Sequence, residues 1–307
     1  MRNAFAEEIT KLAQIDSRVV LLSGDIGNKL FDNFKKVDEQ RFYNCGVAEA
    51  NMMGVAAGMA LSGLRPVTYT ITPFTTTRCF EQIRVDVCYH KAPVIIVGTG
   101  AGLSYAELGP THHSLEDLAI LRTLPGMSVL APCDATELRL ALHAALRQDG
   151  PVYIRIGKKG EPAIHAQTPN FRIGEAIIVR EGGDVSLLGA GTIMSEVLKA
   201  ADLLKAHGIS AEVVSFHSIK PLDTAYLARA AKKFKLIATI EEHGLIGGLS
   251  SAVSEWKCAT NEQIRQIGFG TPDEFMHEVG SQEYARSKYG LVSGNIAARV
   301  LAGLQNR

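Results

Sequence analysis

Three groups of residues in the first half of this 307-residue chain are of types that do chemistry. The first is Glu49. It opens the run Glu49-Ala50-Asn51-Met52-Met53-Gly54-Val55-Ala56-Ala57-Gly58-Met59-Ala60, an otherwise small and apolar helical stretch. A carboxylate buried against such a face is costly unless it is paired or shares a proton, so Glu49 is expected to hold something basic. A first-turn acid is also what the helix dipole favours at a wet surface, and Glu49 alone leaves both readings open. The second group is the turn Gly109-Pro110-Thr111-His112-His113-Ser114. An imidazole, with an ordinary pKa of about 6.5, can serve there as an acid, a base or a hydrogen-bond donor. His112 is the candidate, with His113 as support for the loop. The third is Arg155, at the end of Pro151-Val152-Tyr153-Ile154 and close to Lys158 and Lys159. Its planar guanidinium is suited to bidentate contact with a phosphate or carboxylate.

These residues must be positioned by the elements around them. Short apolar runs at Val19–Leu22, Val67–Ile71, Val94–Val97 and Val129–Ala131 read as strands buried on both faces. Helical periods lie between them at Ala48–Leu61, Phe80–His90 and Thr136–Arg147. The alternation predicts a parallel sheet with crossover helices. A polar stretch broken by Gly and Pro follows, and residues 161–172 read as a linker between domains at 1–160 and 173–307. In the second domain, Val185–Leu188, Ala211–Ser215 and Leu236–Ile240 are strands, with helices at Ile193–His207, Asp223–Phe234 and Leu249–Cys258. The fold class is therefore α/β, two consecutive doubly wound and mostly parallel sheets. Gly98-Thr99-Gly100-Ala101-Gly102 and Gly189-Ala190-Gly191-Thr192 could in principle cradle a nucleotide phosphate. Neither completes the dinucleotide fingerprint, and both read as tight turns.

Composition narrows the function classes. Thirty-two basic residues balance thirty-two acidic ones, with no long basic run, so neither nucleic acid nor an anionic membrane is an expected partner. An anionic substrate must be met by local charge. The five cysteines, Cys45, Cys79, Cys88, Cys133 and Cys258, are widely spaced and form no Cys-x-x-Cys pair, which suits reduced thiols in a cytoplasmic protein. The start, Met1 to Ile9, reads as an amphipathic helix and not as a signal peptide, and no apolar run is long enough to span a bilayer.

Taken in order, the motifs resemble the transketolase family of thiamine-diphosphate enzymes. Gly46-Val47-Ala48-Glu49 is similar to its Gly-x-Ala-Glu, and Pro73-Phe74-Thr75-Thr76-Thr77-Arg78-Cys79-Phe80-Glu81-Gln82 to its aromatic cradle. Gly109-Pro110-Thr111-His112 resembles its Asp-Gly-Pro-Thr-His loop, and Glu241-Glu242-His243 with Gly247-Gly248 a turn of its C-terminal domain. The resemblance implies a pyrimidine-binding domain over 1–160 and a smaller transketolase C-terminal domain over 173–307. It makes Glu49 the partner of the cofactor's N1′, Phe74 and Phe80 the walls of the pyrimidine slot, and Asp25 an acid near the thiazolium. His112, Arg155, Arg2 and Leu108 then face the substrate.

Departures matter too. Leu108 stands where the family has an aspartate that reads a substrate hydroxyl, and Thr77 where it has a stacking aromatic. The diphosphate half, with its Gly-Asp-Gly…Asn-Asn metal motif, is missing, and Gly24-Asp25-Ile26-Gly27 does not replace it. The resemblance therefore implies no metal ligand on this chain and a partner subunit that holds Mg2+ or Ca2+, with self-association into an α2β2 heterotetramer. The implied reaction is transfer of a two-carbon ketol unit from a ketose, or ketose phosphate, to an aldose. A 1-deoxy-ketose synthase, a 2-oxoacid dehydrogenase β-subunit and a non-catalytic module that kept the fold are the alternatives.

Overall fold

The computed structural model describes residues 1–27 and 29–305; Asn306 and Arg307, at the end of the expected 173–307 domain, lie outside the described residues. Twelve strands among the described residues form two sheets. In chain order the strands of the first half are β1 (Val19–Ser23), β2 (Phe42–Asn44), β3 (Arg65–Ile71), β4 (Ile95–Thr99), β5 (Ser128–Leu130) and β6 (Val152–Ile156). Those of the second half are β7 (Ile177–Arg180), β8 (Val185–Ala190), β9 (Ala211–Ser215), β10 (Ser218–Lys220), β11 (Leu236–Gly244) and β12 (Arg265–Thr271).

The first sheet runs β10-β5-β6-β4-β3-β1-β2 and the second β12-β11-β8-β9-β7. All pairings are parallel except at two edges, β10 on β5 and β7 on β9. Strands β1, β4, β6, β8 and β9 are buried along their whole length, as near-continuous apolar runs must be when helices cover both faces.

The expected strands and helices are present, with ends shifted by a residue or a few. Helix 80–90 differs: a short α-helical piece, Phe80–Gln82, widens into a π-helical segment, Ile83–Tyr89. Three-residue β2 and β10 are too short to stand out in sequence, whereas β7, Ile-Ile-Val-Arg, carries a strand pattern yet is absent from the expected strands. Strand β10 belongs to the second half yet adds an edge to the first sheet, and one core cluster runs from Leu22 and Met52 to Val253 and Trp256 across both halves. The linker is not free. The backbone N–H groups of Ile164 and His165 donate to Asp134 Oδ2, and Phe171 and Ile173 pack on the first domain's core.

Candidate active site

In a parallel sheet every strand ends at the same edge, and that edge is where loops can assemble a site. The turn after β1 holds Gly24 and Asp25, the helix after β2 opens with Glu49, and the segment after β3 carries Phe74 and Arg78. The loop after β4 carries Leu108 and His112, and the exit of β6 leads to Lys158.

Glu49 is 3% exposed, at the first position of the helix Glu49–Leu61. Its Cγ lies 3.4 Å from where a β-carbon on Gly24 would stand, so the acid sits against the turn that follows β1. Both carboxylate oxygens accept from Arg78 Nη1, at 3.0 Å each. Nothing in the sequence around Arg78 marks it for this role. Its guanidinium covers the Phe74 ring at 4.1 Å, and Phe74 in turn meets the His112 ring edge-on at 5.2 Å. Glu49, Arg78, Phe74 and His112 thus form one continuous stack. Arg78 remains 45% exposed while its partner is buried. It is the part of the stack that can leave.

His112 is half-buried, with Nδ1 2.9 Å from the Thr111 hydroxyl and Tyr105 edge-on at 6.1 Å. Burial and then the Arg78 charge hold its pKa below the usual imidazole value, so it is neutral at pH 7. His113 turns inward and is buried. Leu108 is exposed at the end of the turn Ala106–Leu108, in the same loop as this ring. Asp25 is exposed in a left-handed backbone conformation, φ 52°, and accepts from Asn44 Nδ2 at 3.2 Å. Arg2 is half-buried near the Tyr69 hydroxyl, close to where β3 ends. Phe80 packs half-buried on the core and does not join the stack.

Arg155 requires a correction. It is 2% exposed and faces inward: Nε lies 3.0 Å from Asp117 Oδ2, and Nη2 donates to the carbonyls of Ser114 and Glu242 at 2.5 and 2.8 Å. A guanidinium whose Nε and Nη2 are engaged in the interior ties the histidine loop to β6, which differs from the substrate-facing position expected of it. Lys158, three residues on, reaches the surface instead. Its ammonium lies 4.6 Å from the Tyr105 ring centroid and pairs with Glu107.

The second domain holds the same loop from the other side. Glu242 accepts from Leu103 N and Gln282 Nε2 and pairs with Arg286. Gly244 N donates to Leu115 O, and Ala119 N to His243 Nε2. His243 is wholly buried and its pKa is pushed down to about 4 by burial, so it stays neutral and able to accept. Glu242, His243 and Gly244, at the end of β11, are therefore the pin between the domains.

The fold is two consecutive α/β domains, with Glu49, Phe74 and His112 gathered at the strand ends of the first. Residues 1–161 match the transketolase pyrimidine-binding domain and residues 174–296 the transketolase C-terminal domain. Among relatives, a 6-deoxy-6-sulfo-D-fructose transketolase subunit of Clostridium sp. (strain MSTE9) is 38% identical over 96% of this chain and 92% of its own length. One of the subunits of an apulose-4-phosphate transketolase of Phocaeicola vulgatus is 34% identical over 98% and 96%. A 1-deoxy-D-xylulose-5-phosphate synthase of a Synechococcus strain is 36% identical, but the chain spans only 47% of it. A solved structure described as a split gene transketolase, inactive beta4 tetramer, superposes with a TM-score of 0.90 at 36% identity, covering 99% of this chain and 97% of that one. The chain belongs to the transketolase family.

Proposed function

We propose that this chain supplies the pyrimidine-side half of a thiamine-diphosphate transketolase. The observation that carries the reading is the Glu49–Arg78 pair: a buried carboxylate held by a cation that is half in solvent and so can be exchanged for a basic ring nitrogen. Glu49 would take N1′ of the aminopyrimidine with Arg78 moved aside, and Phe74 would wall the ring. When bound, the cofactor supplies a nucleophilic carbon and an electron sink for the ketose carbonyl. The chain's own residues do the rest. Glu49 holds a proton at N1′ through a charge-assisted bond, neutral His112 donates to or accepts from substrate oxygens, and Asp25 places a negative charge at the turn after β1.

The diphosphate's divalent ion, Mg2+ or Ca2+, is assigned to the partner subunit, because the sequence here carries no Gly-Asp-Gly…Asn-Asn motif. The complete enzyme is read as a cytoplasmic α2β2 heterotetramer. Two relatives are named for a sulfonated ketose and a ketose phosphate, both anionic at one end, and here Lys158 and a displaced Arg78 are the cations placed to meet such a group. Leu108 replaces a polar contact with an apolar one, which suits a donor lacking the usual hydroxyl there.

The test is calorimetry of thiamine diphosphate with Mg2+, on this chain alone and on its mixture with the partner. Tight, metal-dependent heat is expected only in the mixture; the same heat from this chain alone overturns the two-chain reading.

A further inference from the structure

Away from the Glu49 stack, a second group of ligand-type side chains meets where the linker crosses both domains. Cys133 precedes the helix Ala135–Leu146, whose N-cap is Asp134 and whose first turn contains Glu137. His165 of the linker closes on them. The Cys133 Sγ, a Glu137 carboxylate oxygen and a His165 ring nitrogen all lie within 4.8 Å of one another. His165 Nε2 is 3.7 Å from the sulfur and 2.7 Å from Glu137 Oε1. Cys133 and Glu137 are buried, and the imidazole of His165 is 6% exposed.

An ion pair between Glu137 and His165 accounts for only part of this arrangement. Three more polar atoms border it without a protein partner, the Ser215 hydroxyl and both ring nitrogens of His217, a residue with no exposed surface. His217 is stacked on Phe171 at 4.1 Å and lies close enough to Glu137 and His165 to feel their charges. Buried polar groups rarely go unpaired, so something is expected to complete the cluster. Thiolate, imidazole and carboxylate together are a zinc donor set. With bonds of about 2.3 Å to sulfur and about 2.05 Å to nitrogen, tetrahedral geometry sets the two ligand atoms about 3.6 Å apart, against the 3.7 Å observed; it sets nitrogen and carboxylate oxygen about 3.4 Å apart, so an ion would replace the 2.7 Å hydrogen bond between His165 and Glu137. Two anionic ligands also neutralise a divalent ion, which removes the cost of a buried net charge.

We propose that Cys133, Glu137 and His165 form a zinc site with three protein donors, its fourth position taken by a water. It joins the turn before the helix Ala135–Leu146 to the linker. Enclosure means that the ion enters as the chain folds, and it is distinct from the divalent ion of the cofactor, which needs oxygen donors.

Zinc analysis and cobalt spectroscopy on the full chain, without thiamine diphosphate, test this. The chain expressed with zinc should carry one ion through gel filtration, and chain folded with Co2+ should show a sulfur-to-cobalt charge-transfer band. Cys133→Ser should abolish the band, Cys258→Ser at the exposed thiol should leave it, and His165→Gln should lower zinc affinity at least about tenfold, since even outer-shell partners carry that much. If the wild-type chain, folded by circular dichroism, holds no zinc and gives no band with excess Co2+, the site does not exist. A band that survives Cys133→Ser overturns it equally, and if that variant fails to fold, the wild-type spectrum and His165→Gln decide.

Discussion

The acid at position 49 is held by Arg78 in this structure, and the proposed function gives it a second partner, the ring nitrogen of the cofactor. Arg78 occupies both oxygens of Glu49, rests on Phe74 and raises the cost of protonating His112. In the assembled enzyme, Glu49→Gln is expected to keep the fold and lose turnover by about 10²–10⁴-fold, the usual worth of a positioned proton-transfer group. Exchange of the cofactor's C2 proton, followed by NMR, reports the step directly, and wild-type exchange in the variant would remove Glu49 from the role. Arg78→Gln addresses the next residue in the stack. Removing a positive charge beside an imidazole stabilises its protonated form, so the pKa of His112 should rise toward its ordinary value. The acid limb of kcat/KM, or the His112 ring titration by NMR, should move to higher pH. A shift downward, or none, would mean that the arginine does not act on the histidine as its placement indicates.

The element that matters most is the loop from β4 to the helix Asp117–Arg122, because it carries His112 and has little regular structure to stiffen it. Its rigidity comes from below and behind. Arg155 on β6 ties Asp117 and Ser114, Glu242 on β11 ties Leu103, and Gly244 ties Leu115. Breaking a buried pair by removing one partner leaves the other charge stranded, at a cost of about 3–5 kcal/mol. Arg155→Met should therefore lower the stability of the assembled enzyme by that order in denaturant unfolding. It should affect phosphorylated and unphosphorylated donors alike. Intact stability with a selective rise in KM for phosphorylated donors would return Arg155 to the substrate.

At the scale of the whole molecule, the chain leaves large apolar side chains in solvent beside its site. Val47, Val55 and Leu61 on and before the helix Glu49–Leu61, and Val85 and Tyr89 on the neighbouring π-helical segment, are all exposed, and the two segments pack together. Exposed apolar side chains on two neighbouring segments make this face a candidate association surface. Val55→Glu with Tyr89→Glu should shift the chain toward monomer in light scattering and lower the yield of active enzyme on mixing with the partner; unchanged assembly would place the interface elsewhere.

How much of this can be read without coordinates follows from what each feature depends on. Glu49 and His112 as candidates, the run of strands and the two-domain plan are legible because they rest on local pattern: an acid against a small-residue helix, a Gly-Pro turn, apolar runs in alternation. Parallel topology then carries successive loops to one edge, which is why motifs spread widely along the sequence converge. Arg78 is silent in the sequence because its partner is 29 positions away and nothing local marks the pairing. Arg155 misleads because on a strand buried on both faces no residue type reveals whether a side chain points along the sheet to the surface or into a charge network. The pinned linker, the strand that crosses into the other domain's sheet and the meeting of Cys133, Glu137 and His165 likewise depend on contacts distant in sequence. The chain's local chemistry specified the elements and their candidates; the packing of one domain against the other decided which charges were free to work and which were held in place.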